Sequence, residues 1–250
     1  MNFFLRPYCV AVLLAAAFLA APAWADTPAL KLTASNWTPY LDSSRAENGV
    51  VAVMVTTAFE RAGYTTTLTF EPWPASLEKT QTGEFDVHIS TWKTPERAKD
   101  LALSEPFLFN RITLMGKGSK PYSIYKKEDL EGLRIGVVDD YAYSAKKYNT
   151  AGLKIVSSAS VEESVTRLLE GELDIIVGDR MTMRHQVDKE SAARQVTISP
   201  DTLATRGLRI AVSREREDHE AIVEAFNTAI SEMQEDGTYN SILGGYGISQ

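Results

Sequence analysis

The sequence predicts an α/β protein built from two similar lobes that share a cleft. Strand and helix patterns alternate from Leu30 to Phe85, as expected for a parallel sheet with covering helices. The stretch Gly83-Glu-Phe-Asp-Val-His-Ile returns as Gly171-Glu-Leu-Asp-Ile-Ile-Val, and each copy is a glycine turn, a buried strand and a polar strand end. Two further extended runs, Phe107–Gly116 and Leu208–Val212, can each cross between the lobes. Ligands bind open α/β sheets at the carboxyl ends of the strands, so both polar ends are expected in one cleft.

Periodicity and turn signals give the elements of the first lobe in order. Apolar residues at 50, 51, 54, 55 and 58 follow helical spacing until Gly63 ends the pattern. Alternation predicts a strand that ends before Pro72, and Pro72 opens a helix that closes on Gly83. The predicted series is strand Leu30–Ser35, helix Val50–Arg61, strand Thr65–Glu71, helix Trp73–Thr82 and strand Phe85–Ile89.

The same signals order the second half of the chain. Ser160 and Glu163 form a capping box, which predicts a helix that ends before Gly171. Apolar spacing at Ile222 and Phe226 predicts a long amphipathic helix near the C-terminus. The remaining predicted elements are helix Lys126–Glu131, strand Arg134–Val138, helix Ala142–Asn149, strand Lys154–Val156, helix Met181–Lys189, strand Val196–Ser199, strand Leu208–Val212, helix His219–Glu235 and helix Thr238–Leu243.

The N-terminal segment is typical of a secretory signal peptide. Arg6 is the only charged side chain before Asp26, and the apolar run of about a dozen residues that follows it is short for a membrane span. Ala23-Trp24-Ala25 supplies the small-x-small cleavage pattern, so residues 1–25 are predicted to be removed. An uncleaved anchor is the alternative. Cys9 precedes the apolar run, which argues against lipidation there.

Composition excludes several classes of function. The 250 residues include 26 Lys and Arg against 33 Asp and Glu, a formal net charge of −7, and removal of Arg6 with the leader makes it −8. A chain this acidic is poorly suited to bind nucleic acid by counterion release. Cys9 is the single cysteine, so the mature chain can form no disulfide. We expect an exported soluble monomer of about 225 residues.

The first strand motif leads into a candidate anion site. The strand is predicted to stop at Ile89 in a polar loop, with Thr94 as the N-cap of the next helix, and free backbone N–H groups at a helix start bind anions. Arg97 falls in the first turn, where a cation opposes the helix dipole. Two interpretations are open: Arg97 binds a ligand, or it pairs with an acidic neighbour on the same helix.

The second strand motif ends at Asp179, which can either contact a ligand or cap the following helix. Metal chemistry has little support, because the three histidines are isolated and lack metal-ligand spacing. His88 lies inside a predicted strand and is expected to be a buried, hydrogen-bonded side chain. We therefore expect neither a metal nor another cofactor.

Several motifs carry a family resemblance in their order and spacing. They are Trp37-x-Pro39-Tyr40, Trp73 at a helix start, Gly83-x-x-Asp86, Thr94-x-x-Arg97, Ser104-x-Pro106-Phe107, Asp129-Leu-x-Gly132-x-x-x-Gly136-Val137, Gly171-x-x-Asp174 and Asp236-Gly-Thr-Tyr239. Over nearly all of its mature length the chain resembles family 3 extracellular solute-binding proteins, the periplasmic components of ABC importers for polar amino acids. The resemblance implies the two-lobed Venus-flytrap fold with two hinge crossovers. Residues 26–114 and 207–250 would form lobe 1, and residues 115–206 would form lobe 2.

The resemblance also implies a ligand site. Trp37 and Trp73 occupy positions where family members stack aromatic rings on the ligand, and Ser90 and Thr91 match the loop that holds it. No catalytic residue is expected. The complete predicted ligand-binding set is Trp37, Tyr40, Trp73, Ser90, Thr91, Trp92, Arg97, Asp140, Tyr141, Ala142 and Asp179.

Two charged residues of this set would decide when the lobes close. Arg97 matches the residue that grips the ligand α-carboxylate as a bidentate fork, a contact of about 1.5–3 kcal/mol. Asp179 matches the acid that takes the α-ammonium from the opposite lobe. Opposite charges on opposite lobes favour the closed form only when a zwitterion bridges them, so closure would report occupancy.

Two departures from the family pattern concern the ligand. The segment between Asp86 and Arg97 is one residue shorter than usual, and Trp92-Lys93 replaces small or hydroxylated residues. After Gly136-Val137 the family's Gly-Thr-Thr is replaced by Asp139-Asp140-Tyr141-Ala142-Tyr143. An aspartate there disfavours a ligand carboxylate, unless it only caps the next helix. The ligand is predicted to be more cationic, larger or more aromatic than lysine or histidine.

The expected partners are a small amine-bearing solute, such as an amino acid, and an inner-membrane ABC permease. Two alternatives use the same scaffold. One is a periplasmic dehydratase acting on prephenate or arogenate, with Asp140 or Asp179 as its general acid or base. The other is a subunit that presents its ligand to a sensor kinase.

Overall fold

The structure is a computed structural model that describes residues 28–118, 130–139 and 153–248. The predicted signal peptide lies outside these ranges, as do the candidate site residues Asp140, Tyr141 and Ala142. The helices predicted at Lys126–Glu131 and Ala142–Asn149 also lie largely or wholly outside them.

The elements that precede the first crossing follow the predicted alternation. Val50–Arg61 ends on a turn at Gly63, whose φ of +84° favours glycine, because Cβ strains that conformation in other residues. The elements are β1 Ala29–Ala34, α1 Val50–Arg61, β2 Thr65–Phe70, α2 Trp73–Gln81, β3 Val87–Trp92, α3 Arg97–Asp100, β4 Leu101–Leu103 and β5 Leu108–Lys117.

The second series also follows the predicted order. The capping box is present: Ser160 Oγ accepts from the Glu163 N–H, and the Glu163 carboxylate accepts from the Ala159 N–H. The elements are β6 Arg134–Val138, β7 Lys154–Ser158, α4 Val161–Glu170, β8 Ile175–Asp179, α5 Arg180–Lys189, β9 Val196–Ile198, β10 Ala204–Ser213, α6 His219–Glu235 and α7 Thr238–Gly245.

The strands pair in one continuous curled path with the order β2-β1-β3-β10-β5-β8-β6-β7. In the first lobe β2, β1 and β3 are parallel, and in the second lobe β8, β6 and β7 are parallel. Between them β5 and β10 run antiparallel from Ala204↔Ile112 to Leu208↔Leu108, so the two crossings form a paired ribbon. This is the two-lobed α/β fold with two hinge strands that the sequence predicts. The predicted lobe boundaries at residues 114 and 206 fall inside these two strands and stay predictions.

Separate apolar cores support the division into lobes. The larger core packs α1 and α6 on β1 and β3, with Phe59 and Phe226 in contact at 5.3 Å between ring centroids. A second core packs α4 and α5 on β8 around Val165, Leu168 and Met183. Each lobe therefore buries its own apolar surface, and polar side chains are left to line the space between the lobes.

The two copies of the sequence motif, at Gly83 and Gly171, also have the same local structure. Gly83 and Gly171 turn with φ of +79° and +82°. The backbone N–H of Asp86 bonds the carbonyl of Lys31, and that of Asp174 bonds the carbonyl of Arg134, both at 2.9 Å. Each carboxylate accepts in return from the N–H of the same partner at 2.7 Å. The motif thus ties the strand entry to a neighbouring strand in both lobes.

Several predicted elements differ from the observed ones. β3 does not stop at Ile89 but runs on to Trp92, because Trp92 and Thr91 pair with Leu208 and Arg209 of β10. The following helix, α3, is only four residues long. The returning strand begins at Ala204 instead of Leu208, and β4 was not predicted at all.

Candidate functional site

An aromatic pocket lies at the carboxyl ends of β1 and β3. It comprises about 460 Å³ of space, part of which is open solvent. Its lining residues are Ser35, Asn36, Trp37, Trp73, Ser90, Thr91, Trp92, Arg97 and Leu208. Six of these belong to the predicted ligand-binding set.

The extension of β3 explains why Ser90, Thr91 and Trp92 reach this pocket. All six residues of β3 are buried, with β1 on one side and β10 on the other. Pairing with β10 shifts register between Arg209 and Ala211, an irregularity beside the pocket. The polar strand end is therefore held by a sheet and not by a loop, which positions it more rigidly.

Arg97 supplies the positive charge of the pocket. Its Nη1 donates to Thr91 Oγ1 at 3.1 Å and to the Trp92 carbonyl at 2.9 Å, and its guanidinium carbon lies 5.0 Å from the centre of the Trp73 ring. The side chain is nearly buried, so its charge is poorly screened by water. Because the Arg97 N–H donates to Thr94 Oγ1 and α3 has a single turn, the guanidinium, and not a helix start, is the group that can bind an anion.

A buried polar chain fixes the Trp73 side of the pocket. His88 Nδ1 accepts from the Ser90 N–H, so the ring proton is on Nε2, which donates to Ser76 Oγ. Ser76 Oγ donates in turn to the Trp73 carbonyl at 3.0 Å. Burial lowers the pKa of His88 to about 3, and the charge of Arg97 adds to that effect. The neutral imidazole is a structural side chain, as the sequence predicts.

Aromatic side chains form the opposite wall. Trp37 packs against Tyr40 at 4.9 Å and edge-on against Trp92 at 5.8 Å between ring centroids. Trp92 Nε1 donates to Asn110 Oδ1 on β5 at 2.8 Å. This bond ties the aromatic wall to β5, one of the two hinge strands. A movement of β5 would therefore move Trp92.

Tyr40 and Asp179 meet across the two lobes behind that wall. Tyr40 Oη donates to Asp179 Oδ1 at 3.0 Å, and the two residues are only 2 % and 1 % exposed. The same oxygen caps α5 by accepting from the N–H groups of Met181 and Thr182. Burial raises the pKa of the Asp179 carboxyl, although its hydrogen bonds oppose the rise. Burial, followed by the Asp179 charge, raises the pKa of Tyr40.

The predicted residues thus divide into three groups. One pocket brings together Trp37, Trp73, Ser90, Thr91, Trp92 and Arg97. Tyr40 and Asp179 are next to each other but line a different cavity, with Arg111 and Arg184 on its rim. Asp140, Tyr141 and Ala142 fall outside the described residues.

Sequence reasoning missed four residues at or beside the site: Ser35, Asn36, Leu208 and Asn110. The position of Ser35 and Asn36, directly after the first strand, was an available signal. Asn110 is a lone amide in an apolar strand, which also marks it. Nothing local marks Leu208, which reaches the pocket through long-range pairing with Trp92.

Other chemistry finds little support in the described ranges. No group of three or more His, Cys, Asp or Glu side chains there could hold a metal ion. None of the helices in residues 28–118, 130–139 or 153–248 combines the length and apolar character that a bilayer crossing requires.

Comparison with known families decides what kind of protein carries this pocket. Residues 32–248 match the model of the bacterial extracellular solute-binding proteins, family 3. The chain belongs to this family. Its members bind solutes, so the aromatic pocket of this solute-binding protein is its candidate ligand site.

Two curated relatives come from Escherichia coli (strain K12). The solute-binding protein is 29% identical over 155 residues to ABC transporter arginine-binding protein 1, covering 60% of each chain. It is 27% identical over 172 residues to the L-cystine-binding protein TcyJ, covering 68% of this chain and 63% of that one. The matched region thus spans about three fifths of each relative's length.

Solved structures share the fold. An ancestral arginine-binding protein bound to arginine superposes with a TM-score of 0.73 at 24% identity, covering 87% of this chain and 97% of that one. The ancestral amino acid-binding protein AncCDT-1, a precursor of cyclohexadienyl dehydratase, gives a TM-score of 0.72 at 20% identity, covering 87% and 94%. At these identities the likeness establishes the fold alone.

Proposed function

We propose that this protein is the periplasmic solute-binding component of an ABC importer. It binds a small amine-bearing carboxylate, an amino acid or a related compound, between its lobes and delivers it to an inner-membrane permease. The observation that carries the proposal is a nearly buried arginine, Arg97, beside three indoles at a strand end. The names of the two bacterial relatives, arginine-binding and cystine-binding, support an amino-acid-like ligand.

In this proposal the ligand carboxylate binds Arg97. A nearly buried guanidinium forms strong charge-assisted hydrogen bonds, and its partners Thr91 and Trp92 hold it in place. The Ser90 and Thr91 hydroxyls line the same pocket and provide further polar contacts. Trp37 and Trp73 contact the body of the ligand, and Trp92 adds to the aromatic surface.

The amine has a less obvious partner. The sequence-based expectation that Asp179 receives it stays a prediction. Asp179 Oδ2 is buried and accepts no hydrogen bond from any described residue, so it has capacity for a donor. Its other oxygen already binds Tyr40 and caps α5, and the carboxylate lies outside the aromatic pocket.

Closure of the lobes supplies the signal to the permease. In the part of the chain that the structure describes, β5 and β10 run between the lobes and form a two-stranded ribbon that can bend. A ligand that contacts both lobes shifts the population toward the closed form by its differential affinity for the two forms. We place the mature protein in the periplasm, after removal of residues 1–25.

A thermal-shift screen tests this function. A ligand at about a thousand times its dissociation constant adds about 4 kcal/mol to the free energy of unfolding, which raises Tm by several degrees. The panel contains the twenty amino acids, ornithine, cystine, polyamines and N-methylated amino acids. Native mass spectrometry of gently purified protein identifies any solute that co-purifies. If nothing in the panel changes Tm and no solute co-purifies, the proposal is wrong.

A dehydratase on the same scaffold is the competing function. It is favoured by the raised pKa of the buried Asp179 carboxyl, since a general acid must hold its proton. The direct assay follows phenylpyruvate or phenylalanine formation from prephenate or arogenate in ultraviolet light. Turnover would replace the importer proposal, whereas saturable binding without turnover supports it. A role in presenting ligand to a sensor kinase is separated from import by pull-down of a permease.

A further inference from the structure

The described lining of the aromatic pocket contains a positive side chain but no negative one. Arg97 is its one ionisable lining residue among the described parts of the chain, and the lining there contains no carboxylate. Within residues 28–118, 130–139 and 153–248, the pocket therefore has a partner for a ligand carboxylate but no acid in its lining for a ligand amine. This inference rests on the proposed function, which gives the ligand both groups.

A primary ammonium would find few hydrogen-bond acceptors in this lining. Its three N–H donors each need an acceptor when water is removed. Asn36 Oδ1 already accepts from the Ser43 N–H at 2.8 Å, and Ser35 Oγ, which donates its proton to Ser76 Oγ at 3.1 Å, is an uncharged acceptor. Thr91 Oγ1 accepts from Arg97 Nη1. The Ser90 hydroxyl is one further acceptor for three donors.

Asp179 is separated from the pocket by the aromatic wall. Tyr40 bonds its carboxylate on the far side, and Tyr40 in turn packs against Trp37, which lines the pocket. One oxygen of Asp179 is committed to Tyr40 and to the cap of α5, and the other has capacity for a donor, but Asp179 is not one of the residues that line the pocket. A ligand amine that lies among the lining residues therefore does not have Asp179 as its neighbour.

The indole rings offer a different partner for positive charge. Trp37, Trp73 and Trp92 all line the pocket, and indole has the strongest cation–π attraction of the aromatic side chains. A quaternary trimethylammonium group has no N–H groups to satisfy and spreads its charge over methyl groups that pack on rings. Aromatic cages of this kind recognise quaternary ammonium ligands.

We infer that the ligand is a betaine-type zwitterion, whose carboxylate binds Arg97 and whose methylated ammonium packs against the indoles of Trp37, Trp73 and Trp92. The distinguishing property is selectivity for an N-methylated amine over the parent primary amine. In this inference the three tryptophans, and not Asp179, contact the cationic end of the ligand.

Calorimetric titration of the unmodified protein with two matched series tests this inference. One series is glycine, N,N,N-trimethylglycine and 3,3-dimethylbutanoate, an isostere in which a neutral tert-butyl group replaces the trimethylammonium group. The other is 4-aminobutanoate, 4-(trimethylammonio)butanoate and its neutral tert-butyl isostere. In at least one series the trimethylated compound should bind at least tenfold more tightly than both the primary amine and the isostere.

Variants assign the selectivity to residues. Trp37→Leu and Trp73→Leu should each lower affinity for the trimethylated compound at least tenfold, with circular dichroism confirming that they fold. Phe109→Leu is the matched control, because Phe109 is exposed and does not line the aromatic pocket. Asp179→Asn should retain the preference for the methylated compound.

Each other outcome overturns the inference. A tighter primary amine, or an isostere that binds equally well, shows that cation–π contacts do not decide the ligand. A tenfold loss of affinity in Asp179→Asn returns the amine to that carboxylate. In those cases the importer function stands, because a carboxylate-bearing solute still binds. If neither series binds while ordinary amino acids raise Tm, this inference alone fails, and if no solute binds at all, the proposed function fails with it.

Discussion

The two copies of the strand motif begin alike and end differently. Asp86 and Asp174 make the same backbone bonds to a neighbouring strand of their lobes, with distances that agree to 0.1 Å. Four residues further on the copies separate. Ser90 and Thr91 continue a buried strand toward Arg97, whereas the corresponding residues Gly178 and Asp179 end the strand and cap a helix.

This difference shows where function is placed on a repeated scaffold. The shared part is held by short-range backbone bonds that any ligand-binding lobe needs. The divergent part carries the charge: the first copy faces a cation in a pocket, and the second holds a carboxylate against the other lobe. Thr91 and Asp179 occupy equivalent places, and one positions Arg97 while the other bonds Tyr40.

The sharpest way to break the comparison is to remove the cation at the first strand end. Arg97→Gln should weaken binding of the carboxylate ligand about 10- to 150-fold, because it removes a charge-assisted contact of about 1.5–3 kcal/mol. Isothermal titration calorimetry measures the loss. Arg111→Gln is the matched control, since Arg111 is exposed and lies outside the aromatic pocket. Equal affinity in the wild type and Arg97→Gln would remove Arg97 from the site.

The shared start can be tested by removing each aspartate in turn. Asp86→Ala should lower the free energy of unfolding by about 2–3 kcal/mol, since it leaves the Lys31 N–H and the partly buried Arg216 without their carboxylate. Asp174→Ala should cost only about 1 kcal/mol, because the side chains of its pair are 43 % exposed at Arg134 and 31 % exposed at Asp174. Urea unfolding at neutral pH gives both values. The reverse order would show that burial does not separate the two copies.

Acid should reveal the histidine that only the first copy has. His88 stands where the second copy has Ile176, and burial lowers its folded pKa to about 3, so the unfolded chain binds more protons below about pH 6.5. Its contribution is complete above that pH and is lost as the pH falls toward 3, by about 3 kcal/mol at pH 4.5. His88→Gln, which can still bond Ser76 and Ser90, should show a smaller fall in urea midpoint over this range. Parallel curves for the two proteins would rule out His88 as the cause.

The smallest expected effect concerns the contact between the lobes. Tyr40→Phe removes one hydrogen bond to Asp179 and should lower the free energy of unfolding by about 1 kcal/mol, while Asp179→Ala also removes the cap of α5 and should cost about 2 kcal/mol. Thermal unfolding of the two variants gives the comparison. If Tyr40→Phe costs as much as Asp179→Ala, the helix cap contributes nothing and the contact between the lobes is the main role of Asp179.

Local patterns carried most of the fold prediction, and long-range pairing decided what they missed. Gly171 and the capping box at Ser160 mark α4 because each acts within one helical turn. The predicted β3 ends too early because Ser90-Thr91-Trp92 has the composition of a polar loop. Only the pairing of this segment with β10 makes it part of the strand. Similarly, Arg97 could be named from spacing, but the bond that commits Asp179 to Tyr40 joins residues 139 positions apart.

The central claim is that a small carboxylate is bound by Arg97 in the aromatic pocket. A crystal structure of the protein with a solute that raises its Tm tests this directly. We predict a ligand carboxylate oxygen about 2.7–2.9 Å from a guanidinium nitrogen of Arg97, with the remainder of the ligand against Trp37 and Trp73. A ligand bound elsewhere, for example in the cavity lined by Tyr40, Arg111 and Arg184, would contradict it.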